Sequence, residues 1–237
     1  ELVEKLVKYI AEETFGTLKF TIGDYGEIDL SKKWEKIDYT ETIKEKTNID
    51  IFEASEKEMK KKLDELSVQD GSALGGKVES KGRLVDLLWK YCRKTIAGPC
   101  FLVGHPVMVS PLAKRREDNP ELTQRFQILI AGSELGNGYS ELNDPIDQAE
   151  RFQEQAKMRE AGDTEAQMHD KDFVEALEHG MPPTCGFGFS VRLFSFLANK
   201  PIRECVAFPL MKPPTTTNTT NTTVIPSDRR EPRNPFK

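Results

Sequence analysis

The sequence predicts an α+β protein followed by a tail outside the fold. Three observations point there. Segments with apolar residues at helical spacing alternate with short strand-like runs, two pairs of which read as hairpins. Residues 125–145, RFQILIAGSELGNGYSELNDP, read as two adjoining strands, Phe126 to Ala131 and Glu134 to Leu142. From Pro213 onward the composition shifts abruptly to Thr, Asn and Pro, with only Val224, Ile225 and Phe236 able to enter a core. With 237 residues, there is room for one large domain or two small ones.

In chain order, Leu2, Leu6, Tyr9, Ile10 and Phe15 predict an amphipathic helix over 1–15, ended near Gly16. Leu18 to Ile22 and Glu27 to Leu30 predict a hairpin around Gly23-Asp24-Tyr25-Gly26. Trp34 and Ile37 lead to a short helix capped at Thr40. Residues 55–66 form a charged helix, and its Lys60, Lys61 and Lys62 read as a solvated face. After a loop at Gly71 to Gly76, Leu84, Leu87, Leu88 and Tyr91 predict a second amphipathic helix, ending near Gly98-Pro99. Cys100 to Val103 and Val107 to Val109 read as short strands broken at Gly104-His105-Pro106. Ser110 to Pro120 is a polar loop whose Lys114, Arg115 and Arg116 suit either phosphates or a surface turn. Helices follow at 146–159 and about 172–178, the latter stopped at Gly180. Gly186 and Gly188 interrupt an aromatic strand, and Arg192 opens an apolar helix of Leu193, Phe194, Phe196 and Leu197. Glycines followed by a helix with an arginine at its start suit a polyphosphate, although glycines in a strand are also bulges. The segment IRECVAFPLM reads as a last buried strand.

The central stretch carries the chemistry. Phe126 to Ala131 is apolar apart from Gln127, as in a strand buried on both faces. On the next strand Asn137, Tyr139 and Glu141 alternate and so share one face, with Glu134 at the strand's start. A carboxylate, an amide and an aromatic aimed into one pocket suit an amino-acid substrate with a cationic end; a solvated edge strand would show the same alternation. Gly136 and Gly138 remove bulk on the opposite face, where a backbone or ligand can come close.

Composition narrows the function classes. A net charge of −5 implies no general nucleic-acid affinity. The four cysteines fall in four separate segments with no C-x-x-C pair, and with three histidines this argues against a zinc site and for reduced buried thiols. No apolar run reaches about 18 residues, so no membrane span is expected. Asn218 and Asn221 match glycosylation sequons by chance in a low-complexity stretch. The sequence starts at Glu1 within a helical pattern and reads as a piece of a longer chain.

Several motifs in register carry a resemblance: SPLAKR at 110–115, DNPELTQRF at 118–126, GSELGNGYSELNDP at 132–145, DQAERFQEQ at 147–155, AGD at 161–163 and ALEHGMPPT at 176–184. Over 1–213 the chain strongly resembles class II lysyl-tRNA synthetases, as the C-terminal part of their catalytic domain, with 214–237 as a disordered tail. The resemblance implies a class II aminoacyl-tRNA synthetase-type antiparallel sheet flanked by helices. It implies a cytoplasmic lysine–tRNA ligase that forms lysyl-adenylate from ATP and lysine, transfers lysine to tRNA(Lys), and is a homodimer at full length. Glu134 matches a carboxylate that holds magnesium on the ATP phosphates. Asn137, Tyr139 and Glu141 match the lysine pocket, with Glu141 pairing the ε-ammonium, and Arg192 matches an arginine on the γ-phosphate, with Gly188 beside it in the ATP site.

The chain departs from the family pattern in three places. Gln127 stands where a second magnesium-binding glutamate is usual, Val191 where an acidic residue precedes the arginine, and the glycine-rich run is one residue shorter. The metal residues are therefore expected to be Glu134 and Gln127. The anticodon barrel, the dimer-forming first motif and the second motif belong upstream of Glu1, so full activity is not expected of these residues alone. Two further readings stay open: a protein-modifying lysyl ligase acting on an elongation factor, and a catalytically silent synthetase-like binding fragment.

Overall fold

The computed structural model describes residues 1–68, 80–160, 166 and 168–209. The loop expected at Gly71 to Gly76, the AGD stretch and the tail expected at 214–237 lie outside the described residues.

Helix α1 (Leu2–Phe15) buries Val7 and Ala11 and leaves Leu2 and Tyr9 exposed. It ends at Gly16, whose φ of 67° is a left-handed conformation that a Cβ would strain. Strands β1 (Lys19–Thr21) and β2 (Glu27–Asp29) form the expected antiparallel hairpin. A third strand, β3 (Glu35–Asp38), was not expected, because three of its four residues are polar. Its last residue, Asp38, caps α2 (Tyr39–Thr47) in place of the anticipated Thr40. The Asp38 Oδ1 accepts from the backbone N–H groups of Thr40 and Glu41 at 2.8 and 3.1 Å, which puts Thr40 inside the helix. Helix α3 (Glu56–Glu65) starts with a reciprocal capping box between Ser55 and Glu58, and α4 (Lys81–Cys92) follows.

Strand β4 (Cys100–Val103) forms as expected, but Val107–Val109 is a 3₁₀ turn rather than a strand. Pro106 brings no N–H to a ladder, and Val109 and Ser110 donate locally to Pro106 O and Val107 O. The central hairpin is β5 (Arg125–Ile130) and β6 (Ser133–Ser140). Helices α5 (Pro145–Glu160) and α6 (Lys171–Glu178), strand β7 (Cys185–Phe189) and helix α7 (Arg192–Leu197) complete the order. The last buried strand expected at IRECVAFPLM does not form over its described part. Ile202–Glu204 is one 3₁₀ turn and Phe208 is 95% exposed. Pro201 and Pro209 bracket that run and Arg203-Glu204 interrupts it, which favours a turn over a ladder.

Strands β3 to β7 form one five-stranded sheet in sequence order. The β4–β5, β5–β6 and β6–β7 pairs are antiparallel, whereas β3 runs parallel to β4. Both faces are covered, which is why the core strands read as continuous apolar runs. On one face Cys100, Leu102 and Leu129 pack against Tyr39, Ile43, Met59, Leu84, Leu88 and Trp89 from α2, α3 and α4. On the other Phe101, Ile128, Ile130 and Leu135 pack against α1, the small hairpin, and Leu193 and Leu197 of α7. Each fully buried Leu or Ile contributes roughly 1.5–3 kcal/mol, so these two layers hold the sheet. The α4 layer ends at Trp89 and Leu129, and beyond it the same face of β5 and β6 turns polar.

Candidate active site

That polar face gathers the residues singled out in the sequence. Gln127 lies opposite Asn137, and Arg125 opposite Tyr139. Counted by strict alternation, Glu134 would point away from Asn137, since their separation is odd. A register shift at Ile128/Leu129 corrects this: Gly136 pairs with Ile128 and Glu134 with Leu129, so Leu135 is the extra residue. Such a bulge re-aims the side chains beyond it. Leu135 enters the α1-side core, and Glu134 returns to the face of Gln127.

Glu134 ends a chain of hydrogen bonds that the sequence did not reveal. Its Oε1 accepts from the Trp89 indole N–H at 2.6 Å and its Oε2 from the Gln127 amide at 3.1 Å. Gln127 Oε1 lies 2.8 Å from His105 Nε2, with His105 only 1% exposed. Because a carboxylate only accepts, Gln127 must turn its N–H₂ to Glu134 and its oxygen to the histidine, so His105 carries its proton on Nε2. Burial, with help from the Arg125 charge, pulls the His105 pKa down to about 3, so the ring is neutral. Among the described residues no three His, Cys, Asp or Glu side chains cluster to hold a metal. As the amide stands, Gln127 offers a donor towards Glu134 and does not fit a cation there. Glu134, whose Oε1 also lies 3.9 Å from Arg93 Nε, is the one carboxylate of the set and would serve as the single carboxylate magnesium takes when phosphates and water fill its other positions.

Further along β6, Arg125, Asn137 and Tyr139 line a cavity of about 230 Å³ whose far wall is Val109 to Ala113. That wall is pinned from behind. The buried Arg151 donates to Ser110 O and Ala113 O and forms a double hydrogen bond with Asp147, which also holds Arg115. Burial works to raise the Asp147 carboxyl, but Arg151 and Arg115 outweigh it and hold it at about 2. Arg116 pairs with Asp118. Two of the three loop cations are thus engaged in structural pairs, which favours the turn reading of 110–120 over phosphate contact.

Glu141 follows Tyr139 on the same face and is half-buried. It makes no ion pair among the described residues, and desolvation raises its pKa above the ordinary carboxylate value. The Tyr139 hydroxyl is likewise raised, by burial first and by the Glu141 charge second.

The glycines split by face. A Cβ on Gly138 would meet the Phe126 ring at 2.6 Å, and one on Gly136 would meet Ile128 and Phe187 at 3.0 Å, so the close approach there is made by aromatic and aliphatic side chains of the core. Gly186 and Gly188 sit opposite Tyr139 and Asn137. A Cβ on Gly188 would meet nothing within 4 Å, and one on Gly186 only Glu141 Oε1 at 3.9 Å. They leave the pocket face of β7 bare, which fits a nucleotide or aminoacyl group lying on the sheet. Arg192 is placed apart from the 230 Å³ cavity. It lines a separate cleft of about 580 Å³ with Tyr25, Ala131, Asn199 and Lys200, near the turn that precedes Glu134, and it makes no ion pair among the described residues.

Comparison with known proteins gives a consistent picture. The family described as tRNA synthetases class II (D, K and N) matches residues 1–212. The chain is 46% identical over 214 residues to a lysine–tRNA ligase of Thermosipho africanus (strain TCF52B), covering 90% of this chain and 41% of that protein. It is 43% identical over 215 residues to a lysine–tRNA ligase of Thermotoga sp. (strain RQ2), with the same coverage. With a lysine–tRNA ligase of Bacillus subtilis (strain 168) it shares 41% identity over 216 residues, 89% of this chain and 42% of that protein. The chain therefore spans about two-fifths of the length of these relatives.

Proposed function

Since the chain belongs to the class II tRNA synthetases of the D, K and N group, we propose that it carries the amino-acid pocket of a lysine–tRNA ligase. The reaction is ATP-dependent formation of lysyl-adenylate followed by transfer to tRNA(Lys), in a cytoplasmic homodimer. One observation carries the choice of lysine. Glu141 is a half-buried carboxylate, desolvated enough to raise its pKa, with no cation paired to it among the described residues. Such a group is stabilised by an incoming ammonium.

In this reading Glu141 accepts from the ε-ammonium, and Tyr139 and Asn137 flank the side chain. The lysine carboxylate attacks the α-phosphorus of ATP and pyrophosphate leaves, so no protein nucleophile is needed. The bare face at Gly186 and Gly188 receives the adenylate, Arg192 meets phosphate, and Glu134 supports magnesium. When bound, magnesium offsets the phosphate charge. The protein's contribution is positioning and charge complementarity.

The test is ATP–pyrophosphate exchange by a protein containing this chain, with lysine, aspartate or asparagine supplied in turn. Exchange with lysine alone supports the reading. Exchange with aspartate or asparagine and none with lysine overturns it.

A further inference from the structure

Arg125 was not singled out in the sequence, yet it touches both walls of the pocket. Its Nε donates to Asn137 Oδ1 at 2.9 Å, and its Nη1 donates to Val109 O and Ser110 Oγ, each at 2.9 Å. It forms no ion pair among the described residues, although a partly buried guanidinium ordinarily finds a carboxylate. We propose that Arg125 is a positioning residue that sets the orientation of the substrate by fixing the Asn137 amide. The reasoning is one of donor and acceptor inventory. An arginine has only donors, so the asparagine atom facing it must be the oxygen. The Asn137 Nδ2, which has no partner among the described residues, is then the edge left for the ligand. Glu141 lies outside the residues that line the cavity but further along the same face, so a ligand that spans a donor at Asn137 and an acceptor at Glu141 is read in one direction: ammonium at Glu141, oxygen at Asn137. Along β6 that direction brings the oxygen end towards Glu134. Through Val109 and Ser110 the same guanidinium also holds the facing wall at a fixed distance from the strand.

This rests on the lysine reading and sharpens it. The test uses a protein containing this chain, with L-lysine binding followed by calorimetry for Arg125→Met, Arg125→Lys, Asn137→Ala and the double variant Arg125→Met/Asn137→Ala. Loss of a charge-assisted hydrogen bond predicts lysine binding weaker by roughly ten- to a hundredfold in each of Arg125→Met and Asn137→Ala. Because Arg125 acts through Asn137, the double variant should fall within about twofold of the worse single, whereas independent roles multiply. Arg125→Lys should recover little, since an ammonium cannot reproduce the fork. Multiplied losses, or unchanged lysine binding in Arg125→Met, overturn the proposal. Should the parent protein bind no lysine, the lysine reading fails, and NMR of the Asn137 side-chain amide decides the positioning claim separately. Dispersed amide signals in the parent that collapse in Arg125→Met support it, and unchanged signals overturn it.

Discussion

Replacing Asp147 by Asn should destabilise the protein through a residue that does not line the 230 Å³ cavity. Asp147 is 17% exposed and accepts from Arg151, only 4% exposed, and from Arg115, which is 41% exposed. Its carboxyl titrates at about 2 rather than 3.8. That difference, at about 1.4 kcal/mol per unit, corresponds to about 2 kcal/mol of stability. The Arg115 share is discounted for its exposure, but Asn also leaves the buried Arg151 charge uncompensated, a defect worth about 3–5 kcal/mol where nothing else holds the cation. Arg151 keeps its bonds to Ser110 O and Ala113 O, so the net loss expected at pH 7 is about 3 kcal/mol. For a domain of this size that lowers Tm by roughly 6–12 °C. The sign of the pH dependence follows from a depressed folded-state pKa. The stabilisation is present above about pH 4 and disappears as pH falls through about 2, so the gap between parent and variant must close over that interval. Urea unfolding followed by circular dichroism between pH 7 and pH 2 measures it. A loss under about 0.5 kcal/mol at pH 7, or a gap that stays constant to pH 2, would refute this account of the wall behind the pocket.

Three further outcomes are expected. Gly138→Ala places a methyl 2.6 Å from the Phe126 ring and 3.0 Å from Gly186 O and should cost about 1–3 kcal/mol by overpacking, read from the urea midpoint. Trp89→Phe removes the 2.6 Å bond to Glu134 while keeping most of the ring packing on Tyr39; a loss of about 1–2 kcal/mol with an unchanged m-value is expected. Arg192→Ala should weaken ATP in the exchange reaction by roughly ten- to a hundredfold with lysine KM unchanged, as kinetics with each substrate varied separately will show.

The elements with a clean hydrophobic period were legible from sequence. Ile128 to Ile130 mark a strand covered on both sides, and α1 was found as a helix, but its buried stripe is Val7 and Ala11 rather than the expected Leu2, Leu6 and Tyr9, which are exposed. What stayed hidden breaks the period for a physical reason. Strand β3 is polar because it lies at the sheet edge, and Val107–Val109 has strand-like residues in a turn fixed by Pro106. Within the site, Asn137 and Tyr139 were placed on one face by alternation alone. Glu134 joins them only because Leu135 is bulged, and a bulge leaves no mark in residue type. Arg125 and His105 were missed because each reads as an ordinary polar residue at a strand end or in a turn. The available signal for Arg125 was its spacing of two from Gln127 on a strand whose other neighbours are apolar.

The most direct test of the central claim is the affinity of Glu141→Gln for L-lysine. The substitution keeps the side chain's shape and removes the charge proposed to meet the ε-ammonium. A hydrogen-bonded charge pair broken on one side costs about 3 kcal/mol in a half-buried setting, which is on the order of a hundredfold in Kd. The account predicts that loss for lysine with the melting temperature of the free protein nearly unchanged, because Glu141 has no ion-pair partner among the described residues to lose. Lysine affinity within about threefold of the parent, under 1 kcal/mol by the same conversion, would contradict it and remove Glu141 from the pocket.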